Sequence, residues 1–143
     1  MVEPDPSAGE RSIRLRIPAK AEYITLCRLA LTGLARVREI SDDTMADLKL
    51  ALTEAVSNSV RHAYGPDGKG HVDITFELEQ DRLGVEVIDD GEGFDLDERP
   101  AFDGEELSEG GLGIAIIRTI ADEFEIESKP GERGSRLRFT KRL

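Results

Sequence analysis

Glu54 and Asn58 stand four residues apart in a stretch with helical apolar spacing, which puts a carboxylate and an amide on one helix face. Ser57 and Arg61 extend the same polar stripe. A solvated helix face is the ordinary reading of such a stripe. The chemically richer reading is a metal and proton site. Mg2+ takes oxygen ligands, keeps several waters, and is commonly held by one or two protein groups plus phosphates. Asn58 then offers one amide oxygen to Mg2+, and Glu54, one turn or about 5–6 Å away along the helix, accepts a hydrogen bond from an attacking hydroxyl.

Two glycine clusters follow. Asp89-Asp90-Gly91-Glu92-Gly93 comes after an alternating apolar segment, and its glycines allow the backbone to approach a ligand closely. The same composition also makes a simple turn. Gly110-Gly111-Leu112-Gly113 opens a helical pattern, where free backbone N–H groups and the positive end of the helix dipole favour phosphate. A flexible loop ahead of a helix is the plainer alternative. Neither cluster has the Lys and Ser or Thr of a P-loop.

The elements that must carry these residues are legible as periodicities. Residues 1–10 have no apolar period and form a flexible tail, leaving 11–143 as one domain. Ser12 to Pro18 alternates as an edge strand. Pro18 then starts a first helix over Ala19 to Arg38, with Ile24, Cys27, Leu31, Leu34 and Val37 at helical spacing toward the core. Ser41, Asp42 and Asp43 cap a second helix, in which Met45, Leu48, Leu52, Val56 and Val60 recur, ending near Ala63 before Gly65-Pro66.

Val72 to Leu78 and Leu83 to Val87 read as a hairpin whose far end brings Asp89 to a sheet edge. The acidic stretch Asp95 to Glu109 lacks periodicity, as a lid or binding loop does. Ile114, Ile117, Ile120 and Ala121 mark a third helix, and Phe124 to Ser128 and Ser135 to Lys141 are two more strands. This order predicts an α+β fold: a two-layer sandwich, one mixed, mostly antiparallel sheet covered on one face by helices.

Composition narrows the function. Thirty acidic against 19 basic residues give a net charge of −11, which opposes direct nucleic-acid binding. No long apolar run or basic leader marks a membrane span or export, so a cytoplasmic location is expected. The single cysteine, Cys27, reads as a small apolar residue on a helix. ATP is also an anion, so a nucleotide site in this chain needs local dipoles and a metal ion.

Taken in order, Glu54-x-x-x-Asn58, Asp89-x-Gly91-x-Gly93, Gly111-x-Gly113 and Gly134-Ser135 resemble the boxes of the ATP-binding fold shared by gyrase, Hsp90, histidine kinases and MutL, the Bergerat-type fold. Within it, Glu54-Ala55-Val56-Ser57-Asn58-Ser59-Val60-Arg61-His62-Ala63-Tyr64 and the short lid look most like the anti-sigma factor serine kinases of bacterial stress and sporulation switches. The resemblance runs from about Ile13 to Leu143 and makes 11–143 a histidine kinase-like ATPase domain.

That resemblance implies a set of roles. Asp89 accepts the adenine amino group, Asn58 binds Mg2+, and Glu54 is the base toward a serine hydroxyl of a partner. Gly91 and Gly93 pass the adenine, while Gly111, Leu112 and Gly113 line the phosphates of ATP. Ser135 supports the adenine through water, in a place where the family usually has Thr. The implied partners are a sigma factor and a STAS-type anti-anti-sigma protein, with Arg28 on the first helix in the partner surface, and the implied assembly is a homodimer.

One feature departs from the pattern: between Pro100 and Gly113 there is no Lys or Arg, where such kinases tend to place a basic residue near the γ-phosphate. Arg118 is the nearest basic residue on the C-terminal side of this stretch. Two alternatives therefore stand beside the kinase: an ATP-gated anti-sigma binding module without transfer activity, and a stand-alone histidine-kinase-like ATP-binding domain.

Overall fold

Segments of period two become strands and segments of period 3.6 become helices in the computed structural model, which describes residues 11–63, 70–92, 112–128 and 133–143. In chain order these are β1 (Arg11–Pro18), a 3-10 turn (Ala21–Tyr23), α1 (Ile24–Leu34), α2 (Asp42–Ala63), β2 (His71–Leu78), β3 (Arg82–Glu92), α3 (Leu112–Ile120), β4 (Glu123–Ser128) and β5 (Arg133–Arg142). The strands form one sheet in the order β1-β2-β3-β5-β4. The expected α+β architecture is what forms, and all four strand pairings described are antiparallel.

Alternation decides which face of the sheet is covered. Val72, Ile74 and Phe76 of β2, Leu83, Val85 and Val87 of β3, and Leu137 and Phe139 of β5 are all buried. They meet Leu48, Leu52 and Val56 of α2, Leu31 of α1 and Ile117 of α3 in one core. The intervening strand residues face away from the helices and pair by charge: Arg16 with Asp73 at 2.9 Å, Arg136 with Glu86 at 2.7 Å, and Arg138 with Glu77 at 3.0 Å. Each such partly exposed pair contributes at most about 1 kcal/mol. Their chief effect is to keep the uncovered face polar.

Helix α2 begins where its capping residues predict. The Ser41 hydroxyl accepts the Thr44 backbone N–H at 3.2 Å, and Asp42 and Asp43 put negative charge at the first turn. The helix ends at Ala63, as expected.

Three expectations need correction. Pro18 does not open a helix; it closes β1 opposite His71, in an edge strand where a missing N–H is tolerated. The first helix is shorter than Ala19–Arg38, because a 3-10 turn precedes Ile24 and the N–H groups of Ala35, Arg36 and Val37 bond only three residues back, at 3.1, 3.2 and 3.0 Å. That tightened end turns Val37 off the core face, leaving it 46% exposed. Finally, β3 is the middle strand, so Asp89 stands near the end of the central strand and not at a sheet edge.

Candidate functional site

Strand register builds the first half of the site. Asp89 lies opposite Val72 of β2 on one side and Ser135 of β5 on the other, on the helix-covered face. A carboxylate buried there needs donors, since an unpaired buried charge is strongly unfavourable. Asp89 is 3% exposed, and the Ser135 hydroxyl, itself buried, donates directly to its Oδ2. Gly134 makes this approach possible. Its φ of +93° is a conformation that side chains resist, and a Cβ there would stand 3.3 Å from the Asp89 carbonyl oxygen. Just beyond, the β3–β5 register shifts between Asp89 and Glu92, so the ladder is irregular where Gly91 lies.

Helix packing builds the second half. Glu54 and Asn58 project from α2 beside its apolar face; Glu54 is half-buried and Asn58 is 6% exposed. The Glu54 carboxylate lies against Gly113 at the start of α3, so close that a Cβ on residue 113 would sit 2.7 Å from Oε2. The first turn of α3 carries no acidic residue of its own. Glu54 thus supplies, from a neighbouring helix, the negative charge that a helix N-terminus favours.

The expected residues fall into three groups. Asp89 and Ser135 are brought together, and so are Glu54 and Gly113. Gly91 belongs to β3 and Leu112 opens α3, while Gly93 and Gly111 lie outside the described residues. Arg28 stands apart from both pairs. It is exposed on α1 and lines a groove of about 440 Å³ with Leu29 and Thr32 of α1 and Lys49, Leu50 and Thr53 of α2.

Arg118 has an answer in the structure: its guanidinium carbon lies 5.1 Å from the Phe124 ring centroid, a cation–π contact at the last turn of α3. That turn is about 7 Å along the helix from Gly113. Lys141 is a residue that sequence reasoning missed. Its ammonium donates to the Ile120 carbonyl at 3.0 Å and lies 3.9 Å from Asp47, tying the C-terminal end of α3 to β5 and α2. The signal was available: Lys141 continues the inward alternation of Leu137 and Phe139, and a cation on a core-facing position calls for a partner.

Cys27 is buried, and burial pushes its thiol from an ordinary 9.0 up to about 11, so it is a packing residue and not a nucleophile at neutral pH. Among the described residues no three His, Cys, Asp or Glu side chains stand together as a metal cluster. Magnesium held mainly by phosphates and water does not require one. The residues fit a magnesium nucleotide: Asn58 is a buried amide and Asp89 is a buried carboxylate held in place by Ser135. Among the described residues no helix is long and apolar enough to cross a membrane.

Residues 17–141 match the family model of the histidine kinase-like ATPase domain. The chain is 39% identical over 127 residues to the serine-protein kinase RsbW of Bacillus velezensis, and equally so to that of Bacillus subtilis, covering 83% of this chain and 79% of each relative. The Listeria innocua RsbW is 37% identical over 122 residues, covering 80% of this chain and 78% of the relative. Among solved structures, the RsbU and RsbW domains of a Mycobacterium tuberculosis protein superpose with a TM-score of 0.69 at 20% identity, over 94% of this chain and 33% of that longer one. The catalytic domain of the histidine kinase ThkA gives a TM-score of 0.51 at 19% identity, over 93% of this chain and 97% of that one, a likeness of fold. The ordered motifs, the antiparallel sheet and helices of the described residues and these relatives lead to one assignment: the chain belongs to the serine-protein kinases of the RsbW type, built on a histidine kinase-like ATPase domain.

Proposed function

We propose that this kinase binds MgATP between α2, the end of β3 and the start of α3, and transfers a phosphoryl group to a serine of a STAS-type anti-anti-sigma protein. The observation that carries the reading is the Glu54 carboxylate standing at the start of α3, one helical turn from the buried Asn58 amide. MgATP supplies the transferable group and the cation that offsets its charge. Asp89, fixed by Ser135, accepts the adenine amino group; Asn58 holds the metal through its amide oxygen. Gly91 and Gly93 leave room for the base, and Gly111, Leu112 and Gly113 turn backbone toward the phosphates. Glu54 takes the proton of the incoming serine hydroxyl as it attacks.

In this reading the protein works in the cytoplasm as a homodimer and also sequesters a sigma factor. Arg28 anchors the partner surface. Its groove pairs two cations, Arg28 and Lys49, with exposed Leu29 and Leu50, a combination suited to an acidic, amphipathic partner segment. Unchanged capture of both sigma factor and antagonist by an Arg28→Ala protein would remove that role.

A second reading is favoured by one observation. The stretch from Pro100 to Gly113 has no Lys or Arg, and Arg118 is engaged with Phe124, so a binding module gated by ATP without transfer is the competing function. Incubating the pure protein with MgATP and STAS-type proteins from the same genome, followed by intact-mass measurement, separates the two. A mass gain of one phosphate on an antagonist supports the kinase. Nucleotide binding with no mass gain on any antagonist supports the module.

A further inference from the structure

Gly113 has no conformational reason to be glycine. Among the described residues the one glycine with positive φ is Gly134, and Gly113 lies inside α3 with ordinary helical backbone. Glycine suits a helix less well than alanine, and this helix has only nine residues. What distinguishes the position is the space beside it. A Cβ at 113 would meet Glu54 Oε2 at 2.7 Å, while Cβ and Cδ of Glu54 lie at 3.7 Å, an ordinary packing distance. The stem of Glu54 already runs alongside residue 113, so a methyl group would leave the stem in contact and drive the carboxylate aside.

We infer that Gly113 is a positioning residue for the Glu54 carboxylate: the side chain absent at 113 leaves the volume in which that carboxylate stands. The inference rests on the proposed role of Glu54 as base and adds a steric duty to any contact of residue 113 with phosphate. It also couples the two ends of the chemistry. The backbone that starts α3 and the group that takes the proton are held by one contact, so a small shift of α3 moves both.

Gly113→Ala discriminates, because alanine keeps the backbone N–H and suits a helix better than glycine. The expected protein is folded, binds ATP within about threefold of wild type by calorimetry, and phosphorylates its antagonist about 10- to 100-fold more slowly, the penalty of a reacting group displaced by roughly an ångström. The loss falls on kcat and leaves KM for ATP nearly unchanged.

A second readout needs no nucleotide. In thermal unfolding, Gly113→Ala should raise Tm by about 2–4 °C more in a Glu54→Ala background than in wild type, since the clash is then gone and the helix gain remains. Should Gly113→Ala alone fail to fold, its rescue by Glu54→Ala supports the contact, and failure of rescue overturns it. A wild-type phosphorylation rate in Gly113→Ala, an ATP affinity falling as steeply as the rate, or equal Tm shifts in both backgrounds also overturn it. A wild-type protein that binds no ATP sinks the kinase reading instead, and the unfolding cycle still decides the contact.

Discussion

Asp89 and Glu54 are the two carboxylates of the proposed site in a chain of net charge −11, but they are held by different means. Asp89 sits on the central strand with hydrogen-bonded neighbours on either side, buried, with a direct bond from Ser135. Glu54 sits half-buried between α2 and α3, where side-chain packing and not a backbone ladder sets the separation. The lesson is a division of labour. The group proposed to recognise the base is fixed by sheet register, which the whole core maintains. The group proposed to move a proton is fixed by the contact of two helices, so it responds to changes of a single methyl group.

The largest expected effects test that division directly. Glu54→Gln keeps size and removes the proton acceptor, so antagonist phosphorylation should fall about 10²- to 10⁴-fold while ATP affinity stays within about twofold. Asp89→Ala should do the reverse first: ATP affinity falls about 30- to 100-fold, as expected for a hydrogen bond to a charged group worth roughly 2–3 kcal/mol. Intact-mass kinetics and calorimetry read the two. If Glu54→Gln weakened ATP as much as Asp89→Ala does, the two carboxylates would not divide binding from transfer.

Gly134 sharpens the sheet side of the comparison. Alanine at φ +93° is strained, and its Cβ would stand 3.3 Å from the Asp89 carbonyl. Gly134→Ala should therefore lose about 1–2 kcal/mol of stability, lowering Tm by a few degrees in chemical or thermal unfolding. Gly113→Ala, with helical backbone, should show no such loss. Equal destabilisation at both glycines would mean that the two ends of the site are held alike.

The covered faces of β2 and β3 were readable from period-two alternation, and the order of elements followed from turn and cap residues. Strand order was not readable. Alternation says which residues face inward, yet nothing local says that β5 inserts between β3 and β4, which moves Asp89 from an edge to the centre. The end of α1 was overrun because Val37 keeps the apolar spacing, while the tightened turn after Leu34 is decided by hydrogen bonds that spacing does not encode. In the site, Glu54, Asn58 and Asp89 were visible as types at fixed intervals. The Asp89–Ser135 bond and the Glu54–Gly113 contact join segments far apart in sequence, so neither can be read from local pattern.

The smallest expected effect concerns the hydroxyl that links the two strands of the proposed adenine end. Ser135 donates to Asp89, and Asp89 also makes a further interaction, so removing the hydroxyl leaves the carboxylate poorly but not wholly supported. Ser135→Ala should weaken ATP and adenosine equally, by about fivefold, or roughly 1 kcal/mol for one hydrogen bond. Equality matters because the phosphates lie at the α3 end in this reading. Ser135→Thr keeps the donor and should bind within about twofold of wild type, even though it adds a methyl group at a position only 8% exposed. Parallel titrations of the two variants with ATP and adenosine decide the matter. A loss confined to ATP would assign Ser135 to the phosphate end, and an unchanged affinity in Ser135→Ala would reduce the bond to a packing detail of the β3–β5 ladder.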